Sequence, residues 1–519
     1  MPEGELAIVL HTHMPYVEGG GHWPPTAIQQ YMDRHGCDFA TASRTIYARP
    51  SNAPFPEGGG DWPVDLDSYL RAPAGFGTWP FGEELLFEAV ASCYLPLLDV
   101  LDRAGPPARL TLSLTPVLCD QLSHPGAIDR CLRFLTELRP LTHRLDADEL
   151  RAAGEPGLAA ELERSAGEYE AAAGDLVARR DAPGGLLGAL GRHATWTSSA
   201  THAILPLLAT DGGIGLQLQT GINSHRRRFG DWDGGFWLPE CAYAAGLDPL
   251  LERAGVRSSC VELTAQLGPG SPEHLRPLAT ADGPVLWPID RVTIDRAWGA
   301  RGYPSRPPYR DYHRYTTHRH RVHRIDGRPY DHAAAVTQAR ADAAEFVGAV
   351  GERVAGGGVC VFAVDTELLG HWWYEGIEWL REVLDQADRQ GLALTTLDDA
   401  RERHVPVPAP PELGVTSWGE GGDLRTWSGP RVAAFAWRAR AAELGLAAQP
   451  ATHVSERALR ELLALQSSDW AFLADRELAG DYPEQRAALH AGALARELRD
   501  PGAHEPALRG LAPWPVGWS

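Results

Sequence analysis

Gly235-Phe236-Trp237-Leu238-Pro239-Glu240-Cys241-Ala242-Tyr243 and Phe362-Ala363-Val364-Asp365-Thr366-Glu367-Leu368-Leu369-Gly370-His371-Trp372-Trp373 share one pattern. Each is a short apolar run that ends on a carboxylate and passes at once into aromatic and polar residues. Each reads as a strand that delivers an acid to a loop. Two acids at strand ends, with tryptophans beside them, suit chemistry on a sugar. One carboxyl protonates a glycosidic oxygen while the other attacks or steadies the anomeric carbon. Indole faces offer flat apolar surfaces to pyranose rings. Taken singly, either stretch is equally a buried strand with a capping acid; the pair favours function.

Working outward, Glu5-Leu6-Ala7-Ile8-Val9-Leu10 reads as a buried first strand that delivers His11-Thr12-His13-Met14-Pro15-Tyr16 to its end. Leu110-Thr111-Leu112-Ser113-Leu114 reads as a second strand, opening onto Thr115. Further strands are expected at 215–222, 235–238, 258–262 and 359–364. Helical periodicity runs over 83–101, and an Ala-, Leu- and Glu-rich helical stretch over about 127–190. Short strands alternating with helices indicate a parallel sheet or barrel, with active residues where strands end. Residues 19–76 are rich in Gly and Pro and read as a long irregular insertion, carrying His22, Trp23, Trp62 and Tyr69. It leaves the chain just after His13, so it is expected over or beside the cleft. The Pro-rich stretch 403–411 closes this domain, 1–402, and a helical domain follows over 412–519.

The 519 residues carry a net charge of -20, which disfavours nucleic acid and anionic membranes as partners. No stretch is long and apolar enough to span a membrane, and no signal peptide is legible. Seven scattered cysteines without a CxxC pair fit a reducing cytoplasm. Cys241, next to Glu240, reads as packing behind the site. Gly356-Gly357-Gly358 is a turn. His313, His318, His320 and His323 lie among Arg310, Arg314, Arg319, Arg321 and Arg324. This basic cluster suits an anion, but a solvated helix and turn is the preferred reading. His11 and His13 at a strand end also have metal-ligand spacing.

Five stretches together resemble glycoside hydrolase family 57, in the branch with the α-1,4-glucan branching enzymes. They are His11–Tyr16 as quoted, Ala200-Thr201-His202-Ala203-Ile204-Leu205-Pro206-Leu207-Leu208, the Glu240 and Asp365 stretches, and Ser417-Trp418-Gly419-Glu420-Gly421-Gly422-Asp423. Thr78-Trp79-Pro80-Phe81-Gly82-Glu83-Glu84, Gly302-Tyr303-Pro304 and Gln466-Ser467-Ser468-Asp469-Trp470 add to the likeness. The resemblance covers nearly the whole chain apart from 19–76. It implies an incomplete (β/α)7 barrel with a helical insertion and a C-terminal helical domain that reaches the cleft. It implies a retaining enzyme acting on α-glucan without metal or organic cofactor. It implies Glu240 as nucleophile and Asp365 as general acid/base. His11, His13 and His202 would line the donor sugar site, with Trp237, Trp372, Trp418 and Asp469 as walls and sugar contacts.

Departures from the branch are specific. Gly191-Arg192-His193-Ala194 lacks the carboxylate of a Gly-x-x-Glu pattern, and Glu477-Leu478 replaces a Gly-Gln pair. Branching members carry a loop tyrosine associated with transfer to sugar, and no tyrosine occurs from Ala244 to Gly302. Trp298, or an aromatic of the 19–76 insertion, is the candidate replacement. Without one, more hydrolysis relative to branching is expected. Three alternatives stand beside the branching reading: a mainly hydrolytic α-glucanase, a non-catalytic glucan-binding protein, and a metal-dependent hydrolase using His11 and His13.

Overall fold

A computed structural model of the chain describes residues 4–16, 32–37, 83–105, 109–124, 126–411, 413–479, 482–502, 508, 510 and 511. Most of the insertion 19–76, with His22, Trp23, Trp62 and Tyr69, and residues 78–82 lie outside the described residues.

Among the described residues, seven parallel strands build the centre. They are β1 (Glu5–Thr12), β2 (Thr111–Leu114), β3 (Ala194–Ser198), β4 (Phe236–Trp237), β5 (Ser258–Val261), β7 (Val285–Pro288) and β8 (Val359–Asp365). Short strands β6 (Leu278–Ala279), β9 (Ala393–Thr395) and β10 (Val407–Pro408) attach at its margins. The first sheet runs β4-β3-β2-β1-β8, with β9 on β1, and the second runs β10-β6-β7-β5. A parallel bridge from Gly235 to Ser258 joins them, and Asp290 N donates to Val361 O at 2.9 Å across the far seam. The sheet therefore curls into an incomplete (β/α)7 barrel. β1 is buried along its full length, as its continuous apolar run requires of a strand covered on both faces.

Amphipathic helices cover the barrel. In the helix Gly376–Gln390, Ile377, Leu380, Val383, Leu384 and Ala387 turn inward at helical spacing, and Gly391 closes it in the left-handed region. Residues 215–222, expected as a strand, lie instead inside the helix Asp211–Phe229. Ile214, Leu218 and Ile222 recur every four residues, and the Thr210 hydroxyl caps the helix by accepting from Gly213 N. The helical stretch between β2 and β3 centres on an antiparallel pair, Arg139–Ala152 and Pro156–Asp181.

The C-terminal helices Ala433–Ala447, Glu456–Leu465, Asp469–Asp475 and Tyr482–Glu497 share one continuous apolar core with the barrel. Glu443 makes the joint. Fully buried, it accepts from Thr210 N at 2.8 Å and Ala209 N at 3.1 Å, at the positive end of the helix Asp211–Phe229. Among the described residues no helix is long and apolar enough to cross a membrane.

Candidate active site

The C-terminal strand ends open onto a cavity of about 1320 Å³. In a flat sheet β4 and β8 would stand four strand spacings apart, roughly 19 Å. Curling brings their carboxyls to one cavity: Asp365 is the last residue of β8, and Glu240 follows β4 by three residues.

Glu240 sits in the left-handed region, at φ 60° and ψ 22°, and Cys241 follows at φ 51°. For a side chain with a Cβ this is a strained backbone, held only where its surroundings fix it. The holding groups come from the chain beyond the barrel. Thr416 and Tyr243 exchange backbone hydrogen bonds at 2.9 and 3.0 Å, and Trp418 N donates to Glu240 O at 2.9 Å. The Trp418 indole N–H then donates to Glu240 Oε2. Arg291 braces the same segment, donating to Glu262 at 3.0 Å and to Trp418 O at 3.2 Å.

Burial pushes the Glu240 carboxyl well above the usual carboxylate range, and the charge of Asp365 adds to this. The Trp418 hydrogen bond acts the other way, favouring the ionised form. Burial also raises Asp365, with His13 opposing it. Two such carboxyls in one cavity resist double ionisation. They rest most readily with one proton between them, the state that acid-plus-nucleophile chemistry needs.

Histidines form the floor beside Glu240. His13 Nε2 meets Asp469 Oδ1 at 2.9 Å, and its Nδ1 meets Thr115 Oγ1 at 3.2 Å. Asp469 also accepts from Ser467 Oγ at 2.6 Å. The His13 and His202 rings stack at 4.0 Å, and His202 Nδ1 lies 3.9 Å from Glu240 Oε1. His11 stands behind them. Its Nε2 meets His202 Nε2 at 3.0 Å, its Nδ1 meets Ser113 Oγ at 3.3 Å, and His202 Nδ1 meets Ser468 Oγ at 2.8 Å. Burial lowers both His11 and His202 far below the ordinary imidazole value, so both are neutral.

His13, His202, Glu240, Asp365, Trp298, Trp372, Trp418 and Asp469 all line the cavity. His11 and Trp237 are fully buried and stack on each other at 4.7 Å, behind the lining rather than in it. The metal-ligand pairing of His11 with His13 is not what the fold assembles. Their Nε2 atoms engage different partners, and the donors that converge, within 4.8 Å, are His13, His202 and Asp469. Cys241 is fully buried, and burial pushes its thiol far up, so it packs as expected and stays protonated.

The basic cluster after Tyr309 departs from its expected form. Residues 310–330 contain no helix, and Arg310, His318, His320 and His323 are buried rather than solvated. Arg310, His318 and His320 find acids and hydroxyls of the helical insertion as partners. Arg310 pairs with Glu161, His318 with Asp146, and His320 Nε2 meets Thr142 Oγ1 at 3.0 Å. Local patterning could not reveal partners some 150 residues away.

Sequence reasoning also passed over Glu367. Its carboxylate accepts from Tyr94 OH at 2.6 Å and His13 N at 3.2 Å, tying β1 to the loop after Asp365. The loop turns at Gly370, φ 90°, where a Cβ would stand 2.0 Å from Ser92 O. A second acid two residues after Asp365 was the available signal.

Residues 191–409 match the family described as Glycosyl hydrolase family 57, and residues 436–505 match the 1,4-alpha-glucan branching enzyme C-terminal family. A probable 1,4-alpha-glucan branching enzyme of Mycobacterium tuberculosis is 33% identical over 496 residues, covering 84% of this chain and 92% of that one. The crystal structure of a GH57-type branching enzyme from Pyrococcus horikoshii superposes with a TM-score of 0.77 at 26% identity, covering 97% of this chain and 93% of the other. The Thermococcus kodakaraensis branching enzyme, solved with glucose, gives a TM-score of 0.75 at 26% identity over 98% and 93%.

Proposed function

The chain belongs to glycoside hydrolase family 57, and from that premise we propose that it is a retaining, 1,4-α-glucan branching enzyme-like catalyst. One observation carries the reading: Glu240 and Asp365 line one cavity, both with raised pKa, and only Glu240 accepts an indole N–H. That hydrogen bond favours the anion on Glu240 against the burial that raises it to about 8, above the about 6 of Asp365, so the acid role of Asp365 requires the proton to shift to it once a sugar fills the cavity.

In the first step Asp365 gives its proton to the glycosidic oxygen as Glu240 attacks the anomeric carbon, and the reducing-end fragment departs. In the second step an acceptor hydroxyl loses its proton to Asp365 while its oxygen displaces Glu240. A sugar hydroxyl gives transfer, and water gives hydrolysis. Trp418 closes one wall, and His13, His202 and Asp469 line the floor on which the donor sugar rests. The cavity's size and its mixed aromatic and polar lining support an α-glucan as substrate. Seven free cysteines suit a reducing, cytoplasmic compartment.

The test is amylose incubated with the protein. New α-1,6 linkages, counted after debranching, together with loss of iodine staining, are expected. New reducing ends measure the hydrolytic share. Amylose recovered with neither new linkages nor new reducing ends would overturn the proposal.

A further inference from the structure

The cavity exceeds the roughly 300–1,000 Å³ of a site for one small ligand. Its wall on the Asp365 side is built by residues that the two steps above leave unused. Residues 309–330 form an irregular hairpin, joined by bridges Arg310 to Arg324 and His323 to Pro329. Its tip is anchored from beneath. Thr316 and His318 both bond Asp146, Thr317 Oγ1 donates to Glu149 at 2.9 Å, and the His320 ring packs on His143 at 3.8 Å.

This anchoring leaves the rings of Tyr312, His313 and Tyr315 lining the cavity, of which Arg321 holds Tyr315. Tyr315 is 38% exposed and lines the cavity, while His318 and His320 are 7% and 5% exposed. Arg321 fixes it. One guanidinium nitrogen donates to the Tyr315 phenol at 3.3 Å, and another to the His371 carbonyl at 2.6 Å. The same group lies 5.3 Å from the Tyr315 ring and 5.9 Å from the Trp372 ring. Trp372 in turn is tied to the acid's own loop, since its N–H donates to Glu367 O at 3.1 Å. The plain alternative is a surface tyrosine at a hairpin tip. It does not account for a tip pinned on its underside, nor for an arginine that joins this ring to the loop of Asp365.

We propose that Tyr315, Arg321 and Trp372 form the platform that binds the acceptor chain, a second α-glucan, during transfer. The inference rests on the proposed function and adds the acceptor's place. In the second step the acceptor hydroxyl hands its proton to Asp365, its oxygen bonds to the anomeric carbon, and the bond from that carbon to Glu240 breaks. The acceptor therefore approaches from the side of Asp365, which is where Trp372 stands. Two aromatic faces receive sugar rings, and the Arg321 guanidinium donates to their hydroxyls. An acceptor held there occupies the approach that water would use.

Tyr315→Ala and Tyr315→Phe test this on amylose, counting new α-1,6 linkages against new reducing ends. Tyr315→Ala is expected to lower that ratio about tenfold, with reducing ends rising as water replaces the acceptor, while Tyr315→Phe keeps it within about twofold. Tyr315→Leu, which keeps apolar bulk without a ring, gives the same result as alanine if the alanine protein proves less stable. Titration of maltoheptaose into the Glu240→Gln protein provides a readout without turnover, and adding Tyr315→Ala should weaken binding there about tenfold. A ratio unchanged in both Tyr315→Ala and Tyr315→Leu, or an unchanged titration, overturns the platform. Wild-type protein inert on amylose overturns the proposed function instead, and the titration still decides the platform.

Discussion

Asp365 and Glu240 reach the same cavity from strands of opposite character. β8 is seven residues long and pairs with β1 in register from Val359 to Asp365. Asp365 itself stays extended, at φ -64° and ψ 132°. β4 has two residues, pairs with β3 only at Phe236 and Trp237, and is followed by two consecutive left-handed residues. Asp365, the proposed acid, is thus placed by the sheet. Glu240, the proposed nucleophile, is placed by a contact from outside the barrel, through Thr416 and Trp418. One strand end holds its side chain as part of a ladder, whereas the other needs a distant segment to hold a strained turn. Changes beyond residue 411 should therefore reach Glu240 first.

The largest effect separates the two roles. Glu240→Gln is expected to lower kcat on amylose by roughly 10^4-fold or more, with the fold intact by circular dichroism, because two-step transfer has no substitute nucleophile. Activity near wild type would mean that another group attacks. Asp365→Asn should cost about 10²–10⁴-fold on the same substrate. It should, however, still form a glycosyl-enzyme from a maltosyl fluoride, whose leaving group needs no proton. A fluoride that rescues Glu240→Gln instead would exchange the two assignments.

Trp418→Phe sharpens the contrast. It removes the N–H on Glu240 and leaves β8 untouched. A hydrogen bond to a charged group is worth about 1.5–3 kcal/mol, so a fall in kcat of roughly 10–100-fold is expected. Without that donor the Glu240 carboxyl rises further, and the acid limb of the pH–rate profile should move to higher pH. A limb that stays in place would show that the indole packs without tuning the anion.

The smallest effect is one of stability. Glu240 is raised in the folded protein, mainly by burial and then by Asp365. Its contribution to stability is fully present below the ordinary glutamate value and is lost as pH rises through the folded value. Glu240→Gln should therefore melt at about the wild-type temperature at pH 4. It should melt progressively higher than wild type as pH rises from there, until the folded carboxyl is fully ionised. Scanning calorimetry across that range checks the sign, and a gap that narrows with pH would contradict the burial account.

Much of this contrast was legible beforehand, and unevenly. The run ending at Asp365 is apolar, β-branched and buried on both faces, so its local pattern and its tertiary state agree. The Glu240 stretch could be placed, but its left-handed turn could not, since Trp418 lies far along the chain. The helix Asp211–Phe229 was misread because Gly215, Leu216 and Leu218 resemble a strand when the four-residue spacing from Ile214 to Ile222 is overlooked. β3 was missed because Thr195 and Thr197 break its apolar run, and β7 because it is four residues long and ends on Pro288. The basic hairpin was misread because charges read as solvated until Asp146 and Glu161 are seen beneath them.

The chain Ser113–His11–His202–Ser468 has a consequence of a different kind. Both imidazoles are neutral, so each carries one N–H, and the contact between their Nε2 atoms requires one proton between them. The two tautomers are then a single binary variable. With the shared proton on His11, its Nδ1 accepts from Ser113, and His202 donates from Nδ1 to Ser468. With the proton on His202, both terminal hydroxyls reverse. Strand β2, strand β1, the loop after β3 and the start of the helix Asp469–Asp475 all register the same bit. A reversal of the Ser468 hydroxyl is thereby felt at Ser113, across the width of the barrel floor, without any atom heavier than hydrogen changing place.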